Sequence, residues 1–200
     1  MIAHESQYNH LRQGNYWNSF TFGTVGVGRN TEIAATLLGI GRPATGNKTL
    51  ALGLKHRIPI YRNNGWEIAS SVGAMAPVSL SGHGVGHWLY GNISVKAPRA
   101  GTRVTVGPSH GSRQMFGRDT YSTMIGIEQP LNRRFSIICD TYTGTHDLGA
   151  AIFAIGYHPN PDFMLIAGWK AANNAISGKP AFMVEVTYMF GLGKRETNSH

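Results

Sequence analysis

Apolar and polar side chains alternate with a period of two residues along most of the chain, from about residue 15 onward. In the clearest segment one face carries Leu50, Leu52, Leu54, Ile58 and Ile60. The opposite face of the same segment carries Thr49, Ala51, Gly53, Lys55 and Arg57. A period of two is that of a β-strand, in which successive side chains point to opposite faces. The pattern therefore predicts an all-β protein.

Eleven segments show this alternation and are separated by turn-forming residues. They span residues 15–27, 31–41, 48–60, 65–77, 86–97, 101–108, 120–129, 134–143, 148–158, 162–171 and 180–190. A strand with its turn takes about 14 to 18 residues, which is too long for a typical sandwich and fits strands that cross a membrane. We predict an up-and-down antiparallel β-barrel of about 10–12 transmembrane strands.

The strand count and the ends of the chain set the predicted domain organisation. Bacterial single-chain barrels have even strand numbers, so either one strand is missed, within 1–14 or 78–85, or one is counted in excess. Residues 15–190 are predicted to form a single barrel domain. A polar N-terminal segment (1–14) and a polar tail (191–200) flank it, and residues 108–120 are predicted to form a long loop. The first residues contain no apolar stretch of the kind found in a secretory signal, so we expect none in this chain.

The residues on the face opposite the apolar one indicate which face of the barrel wall points to the lumen and which points to lipid. Charged residues make up only 14% of the chain, and this face carries about one charge per strand among small side chains. Such a face suits a crowded lumen, with the apolar face toward lipid. The predicted lumen cluster consists of Glu128, Asp140, Lys170 and Glu185, with Lys55, Arg57 and Glu67. It is interpreted either as stabilising ion pairs or as a selectivity or substrate site.

Aromatic residues fall mostly near the predicted strand ends, where a membrane barrel places an interfacial girdle. The predicted girdle residues are Trp17, Tyr61, Trp66, Trp88, Tyr157, Trp169, Tyr188 and Phe190. The alternative is that aromatic residues are enriched in strands of any kind.

Two segments resemble known proteins. Residues Glu185-Val186-Thr187-Tyr188-Met189-Phe190 resemble the closing strand of outer-membrane barrels, although this chain continues to His200. The segments from Ile125 to Gly144, and on to Trp169-Lys170, are similar in style to small bacterial outer-membrane barrels of the porin or transporter type. The resemblance implies a location in the bacterial outer membrane, with the lipid bilayer and small solutes as partners.

Other kinds of function have little support in the sequence. The single cysteine, Cys139, excludes an internal disulfide and is interpreted as a packed residue. The 18 Lys and Arg residues outnumber the 10 Asp and Glu residues, but they are scattered, so no nucleic-acid partner is expected. His83 and His87 are four residues apart in a glycine-rich stretch that is not helical, so no metal site is expected.

Catalytic and cofactor motifs are equally weak. The glycines at 23–28 precede no helix and do not form a phosphate-binding loop. Neither G-x-S-x-G nor H-E-x-x-H occurs. We therefore expect no cofactor, no catalytic residues and no enzyme.

The predicted function is a narrow channel, a passive transporter or a structural barrel. The alternative is a soluble or periplasmic barrel that binds a small apolar ligand inside.

Overall fold

Twelve antiparallel strands close into one barrel in the part of the chain that the computed structural model describes, which is 1–9, 16–40, 48–116, 119–146, 148–175 and 178–190. The strands are β1 (Ile2–Asn9), β2 (Tyr16–Gly26), β3 (Thr31–Ile40), β4 (Thr49–Asn63), β5 (Trp66–Ser79), β6 (Trp88–Lys96), β7 (Arg103–Gly111), β8 (Tyr121–Pro130), β9 (Phe135–Tyr142), β10 (Ala150–Asn160), β11 (Phe163–Ala172) and β12 (Ala181–Tyr188). Each pairs with its sequence neighbours, and β12 pairs with β1 to close the barrel. The predicted fold class is confirmed.

Two boundaries differ from the prediction. The N-terminal segment 1–14 contains β1, the strand missing from the predicted eleven. Its outward face lacks a regular apolar pattern, because His4 and Ser6 lie on it between Ile2 and Tyr8. Strand β7 continues through Pro108 to Gly111, and a single helical turn, α1 (Arg113–Phe116), follows it inside the predicted loop. Residues 10–14 and the tail 191–200 lie outside the described residues. No helix among the described residues is long and apolar enough to cross a membrane.

The two ends of the barrel differ in their connections. At one end, here the short-turn end, strands are joined by residues 27–30, 64–65, 97–102, 131–134 and 161–162. The turn between β4 and β5 is the tightest kind, with Asn64 at φ 48° and Gly65 at φ 80°, as a two-residue hairpin requires. Longer connections, including 80–87, 112–120 and 143–149, lie at the opposite, long-loop end. Strand β1 begins and β12 ends at the short-turn end.

The apolar face of the wall points outward. Leu52 and Leu54 are 54% and 51% exposed, whereas Ala51, which precedes Leu52 on β4, is fully buried on the inner side. The same alternation runs through β12, where Phe182 and Val184 face outward and Met183 faces inward. An outward apolar face and an inward polar one is the arrangement of a membrane-spanning barrel. It is the reverse of the soluble alternative, in which the leucine face would line the interior.

The predicted girdle residues lie at different positions along the barrel wall. Tyr61, Trp66, Tyr157 and Tyr188 lie at the short-turn end, where Tyr157 stacks on Phe135 with ring centroids 5.0 Å apart. Phe190 follows β12 and lies 6.0 Å from Tyr188. Trp169 faces outward, in register with Phe153 and Phe182. The side chain of Trp17 is outside the described part.

Trp88 is the exception, because its side chain lies inside the barrel. It contributes to the wall of an internal cavity and lies 5.2 Å from the ring of Tyr90. The outward positions of β6 are taken by Leu89 and Ile93, both half exposed, so alternation turns Trp88 and Tyr90 inward. Trp88 is therefore not part of the girdle, although it lies at a strand end.

The single cysteine gives a direct test of this orientation. Cys139 pairs in register with the outward-facing Phe153 and Ile127, so a fluorophore attached to it should face lipid. We expect lipid-borne nitroxide to quench this fluorophore strongly and aqueous iodide to quench it weakly. The matched control carries Cys139→Ala and Asp140→Cys, which moves the label by one residue into the lumen and should reverse the order. Dominant iodide quenching at Cys139 would contradict the assigned orientation.

Candidate functional site: the barrel lumen

A cavity of about 440 Å³ lies in the long-loop half of the lumen. Its wall combines charged side chains with large apolar ones. The residues are Glu5, Gln7, Asn18, Phe20, Phe22, Thr36, Leu38, Gly39, Thr49, Met75, Trp88, Asp140, Tyr142, Leu148, Ala150, Ile152 and Lys170. The interior of this half is therefore not filled by side chains.

Two further cavities follow this one toward the short-turn end. A space of about 380 Å³ shares Asp140 and Tyr142 with the first cavity. A space of about 190 Å³ shares Asn92, Arg103 and Thr105 with the second. The three cavities thus form a row along the barrel, and adjacent cavities have wall residues in common.

Three carboxyl groups and one ammonium group lie near the middle of the lumen. Glu5 on β1 is directly opposite Glu185 on β12, and it interacts electrostatically with Glu185, Lys170 and Asp140. Lys170 Nζ donates to Gln7 Oε1 at 3.0 Å, and Gln7 Nε2 donates to Glu5 Oε1 at 2.6 Å. This network ties β11 to β1 across β12, and it leaves the middle of the lumen richer in carboxyl groups than in cations.

The short-turn half of the lumen carries paired charges of both signs. Arg57 on β4 bonds to Glu67 on β5. Lys55 Nζ lies 3.6 Å from Glu32 Oε2, and Arg103 Nε lies 4.0 Å from Glu128 Oε2. These pairs join neighbouring strands, and their side chains are partly exposed, so each adds little to stability. They place a balanced set of charges along the wall.

An aromatic cluster lies at the long-loop mouth. Phe116 of α1 is fully buried and stacks on His146 with ring centroids 4.4 Å apart. Trp88 lies 6.4 Å from Phe116 and 6.0 Å from Tyr142. Phe116 and His146 belong to connections at the long-loop end, so their stacked rings narrow this mouth.

All seven residues of the predicted lumen cluster are on the inner face, but they fall into two separate groups. Asp140 interacts electrostatically with both Glu128 and Glu185, and Asp140 and Lys170 line the same cavity. The other three, Lys55, Arg57 and Glu67, line the cavity at the short-turn end. The sequence analysis missed Glu5 and Gln7, because it assigned them to a polar segment outside the barrel. The available signal was the even strand number of such barrels, which left 1–14 as one place for a missing strand.

No family model matches the sequence, and no curated protein matches it. Solved structures do match. The NanC porin superposes with a TM-score of 0.66 at 10% identity, covering 95% of this chain and 100% of that one. The KdgM porin in complex with disordered oligogalacturonate gives 0.62 at 8% identity, covering 95% and 99%. Outer membrane phospholipase A from Escherichia coli gives 0.53 at 14% identity, covering 95% and 91%.

These identities are low, so the likeness concerns the fold. The predicted resemblance to small outer-membrane barrels of the porin type is confirmed at that level. The matched proteins include a phospholipase as well as porins, so the fold is compatible with an enzyme. The chain has the closed twelve-stranded fold of outer-membrane β-barrels.

Proposed function

We propose that the chain is an outer-membrane channel that passes small solutes and prefers cations. The observation that carries the proposal is the row of three adjoining cavities through the lumen. A barrel with a purely structural role would gain stability from a lumen filled at normal packing density. An open lumen that carries charged side chains provides a path for water and hydrated solutes.

The preference for cations is inferred from the carboxyl groups in the middle of the lumen. Among the described residues, Glu5 interacts with Glu185 and Asp140 and with the ammonium group of Lys170, and Asp140 interacts also with Glu128. A surplus of acidic side chains in a pore lowers the energy of a passing cation and raises that of an anion. The oligogalacturonate bound by the KdgM porin is a polyanion, and this acidic zone makes a similar ligand unfavourable here.

Reversal potentials across a planar bilayer test the proposal. With a KCl gradient, the wild-type barrel should conduct and should show a higher permeability to K⁺ than to Cl⁻. The triple variant Glu5→Gln, Asp140→Asn, Glu185→Gln should keep its conductance and lose most of this preference, because amides retain the volume without the charge.

The matched control is Asp162→Asn, which removes a carboxyl group from the turn between β10 and β11, outside the lumen. Its reversal potential should equal that of the wild type. Absence of any conductance in properly folded wild-type barrels would contradict the channel. Unchanged selectivity in the triple variant would contradict the assignment of the selective zone.

A further inference from the structure

A hydrogen-bonded Ser-His-Thr relay lies on the outer wall of the barrel, away from the lumen. His4 Nε2 is 3.2 Å from Ser6 Oγ on the same strand, and His4 Nδ1 is 2.8 Å from Thr21 Oγ1 on β2. His4 and Ser6 are two residues apart, so they share one face of β1, and Thr21 is directly opposite His4. Both ring nitrogens of one histidine are therefore engaged by hydroxyl groups on the same face.

The position of the relay is unusual for polar side chains. His4 and Ser6 alternate with Ala3, Glu5 and Gln7, which are buried on the inner side, so they point toward lipid. Their partners across the β1–β12 seam are Val186 and Val184, both exposed on the apolar surface. Placing ionisable and polar groups against hydrocarbon costs free energy, and such groups commonly mark a functional site.

We propose that Ser6, His4 and Thr21 form a hydrolase site for the acyl esters of membrane lipids. The geometry is that of an activated nucleophile, in which a serine contacts a histidine whose second nitrogen is fixed by a third group. The hydroxyl oxygen of Thr21 can accept the hydrogen of His4 Nδ1. That bond selects the tautomer in which Nε2 is free to accept the proton of Ser6.

The location indicates the class of substrate. A nucleophile on the outer face of a barrel wall is in contact with lipid rather than with solutes in the lumen, and the esters in its surroundings are those of lipid acyl chains. The apolar side chains of Val184, Val186 and Leu37 border the relay and offer a surface for such a chain. The inference is independent of the channel proposal, because the two sites lie on opposite faces of the wall.

The proposed reaction is ester hydrolysis in two steps. Ser6 Oγ attacks the carbonyl carbon while His4 Nε2 takes the hydroxyl proton. The bond from carbon to the lipid oxygen breaks, and His4 returns the proton to that leaving oxygen, which releases a lipid alcohol and leaves the acyl group on Ser6. Water then attacks this acyl-enzyme with His4 as the base, a fatty acid leaves, and Ser6 recovers its proton.

The experiment uses the refolded full chain in mixed micelles and in vesicles of diacyl phosphatidylethanolamine, with released fatty acid as the readout. The wild type should release fatty acid, and Ser6→Ala and His4→Ala should each reduce the rate by a factor on the order of 10² or more. A fluorophosphonate probe should label wild-type Ser6, as mapped by mass spectrometry. The matched control is His56→Ala, since His56 also faces outward and contacts a threonine, Thr31 at 2.9 Å. Its rate should equal that of the wild type.

Thr21 is assigned as a positioning residue, and its variants separate that role from a structural one. Thr21→Val should lower kcat and Thr21→Ser should restore it, with the folded fraction constant on unheated gels. If folded wild-type protein neither hydrolyses the lipid nor takes up the probe, the site is not a hydrolase. If Ser6→Ala hydrolyses as fast as the wild type, Ser6 is not the nucleophile, and the proposal fails.

Discussion

Leu52→Arg is expected to lower the free energy of unfolding in lipid vesicles by about 2–4 kcal/mol. Leu52 is 54% exposed on the outward face of β4, between the outward-facing Ala35 and Ala76 of its neighbours. A guanidinium group there must enter hydrocarbon or draw water and headgroups toward itself. Urea titration of the refolded barrel in vesicles measures the change.

The control for this variant is Ile60→Arg on the same strand. Ile60 is similarly exposed, but it is close to the Asn64-Gly65 turn at the short-turn end. An arginine near the interface can reach water, so the loss should be about 0–1 kcal/mol. Equal effects of the two substitutions would contradict an apolar band on the outer wall of β4.

Gly107→Ala is expected to reduce the stability of the barrel by about 3 kcal/mol, at the upper part of the range for overpacking. A Cβ atom at this position would lie 1.9 Å from the carbonyl oxygen of Gly91 and 2.5 Å from the Cα atom of Asn92. Both are backbone atoms of β6, so no rotamer change relieves the clash, and β6 and β7 must move apart. The folded fraction on unheated gels and the urea midpoint measure the effect.

Gly28→Ala is the matched control for the same substitution. Nothing lies within 4 Å of a Cβ atom at Gly28, in the turn between β2 and β3. Its effect should stay within about 0.5 kcal/mol of zero. A stable Gly107→Ala variant would show that β6 and β7 are farther apart than the structure has them.

The strands with a regular apolar face were predicted accurately. Strands β3 and β11, for example, end within a residue or so of the predicted 31–41 and 162–171. Strand β1 was missed because its outward positions hold His4 and Ser6 in place of two apolar residues, which removes the alternation. The feature that concealed the strand is therefore the same one that constitutes the proposed hydrolase site.

The candidate sites were predictable only in part for a related reason. Alternation assigns a residue to a face, and it correctly turned Asp140, Lys170 and Glu185 inward. It contains no information on the registers that place Glu5 beside Glu185 or Thr21 beside His4. Searching for contiguous motifs such as G-x-S-x-G also overlooks a nucleophile and its base when a β-strand spaces them two residues apart.

The seam between β1 and β12 has a consequence for folding. Its contacts join the two ends of the chain, and the bond from Lys170 to Gln7 spans 163 residues. Every other pair of neighbouring strands is consecutive in the sequence, so hairpins can form locally, whereas closing this seam incurs the largest loop entropy in the molecule. Closure should therefore be slow and late. The β1–β2 hairpin that carries His4, Ser6 and Thr21 can form before the lumen network around Glu5 exists.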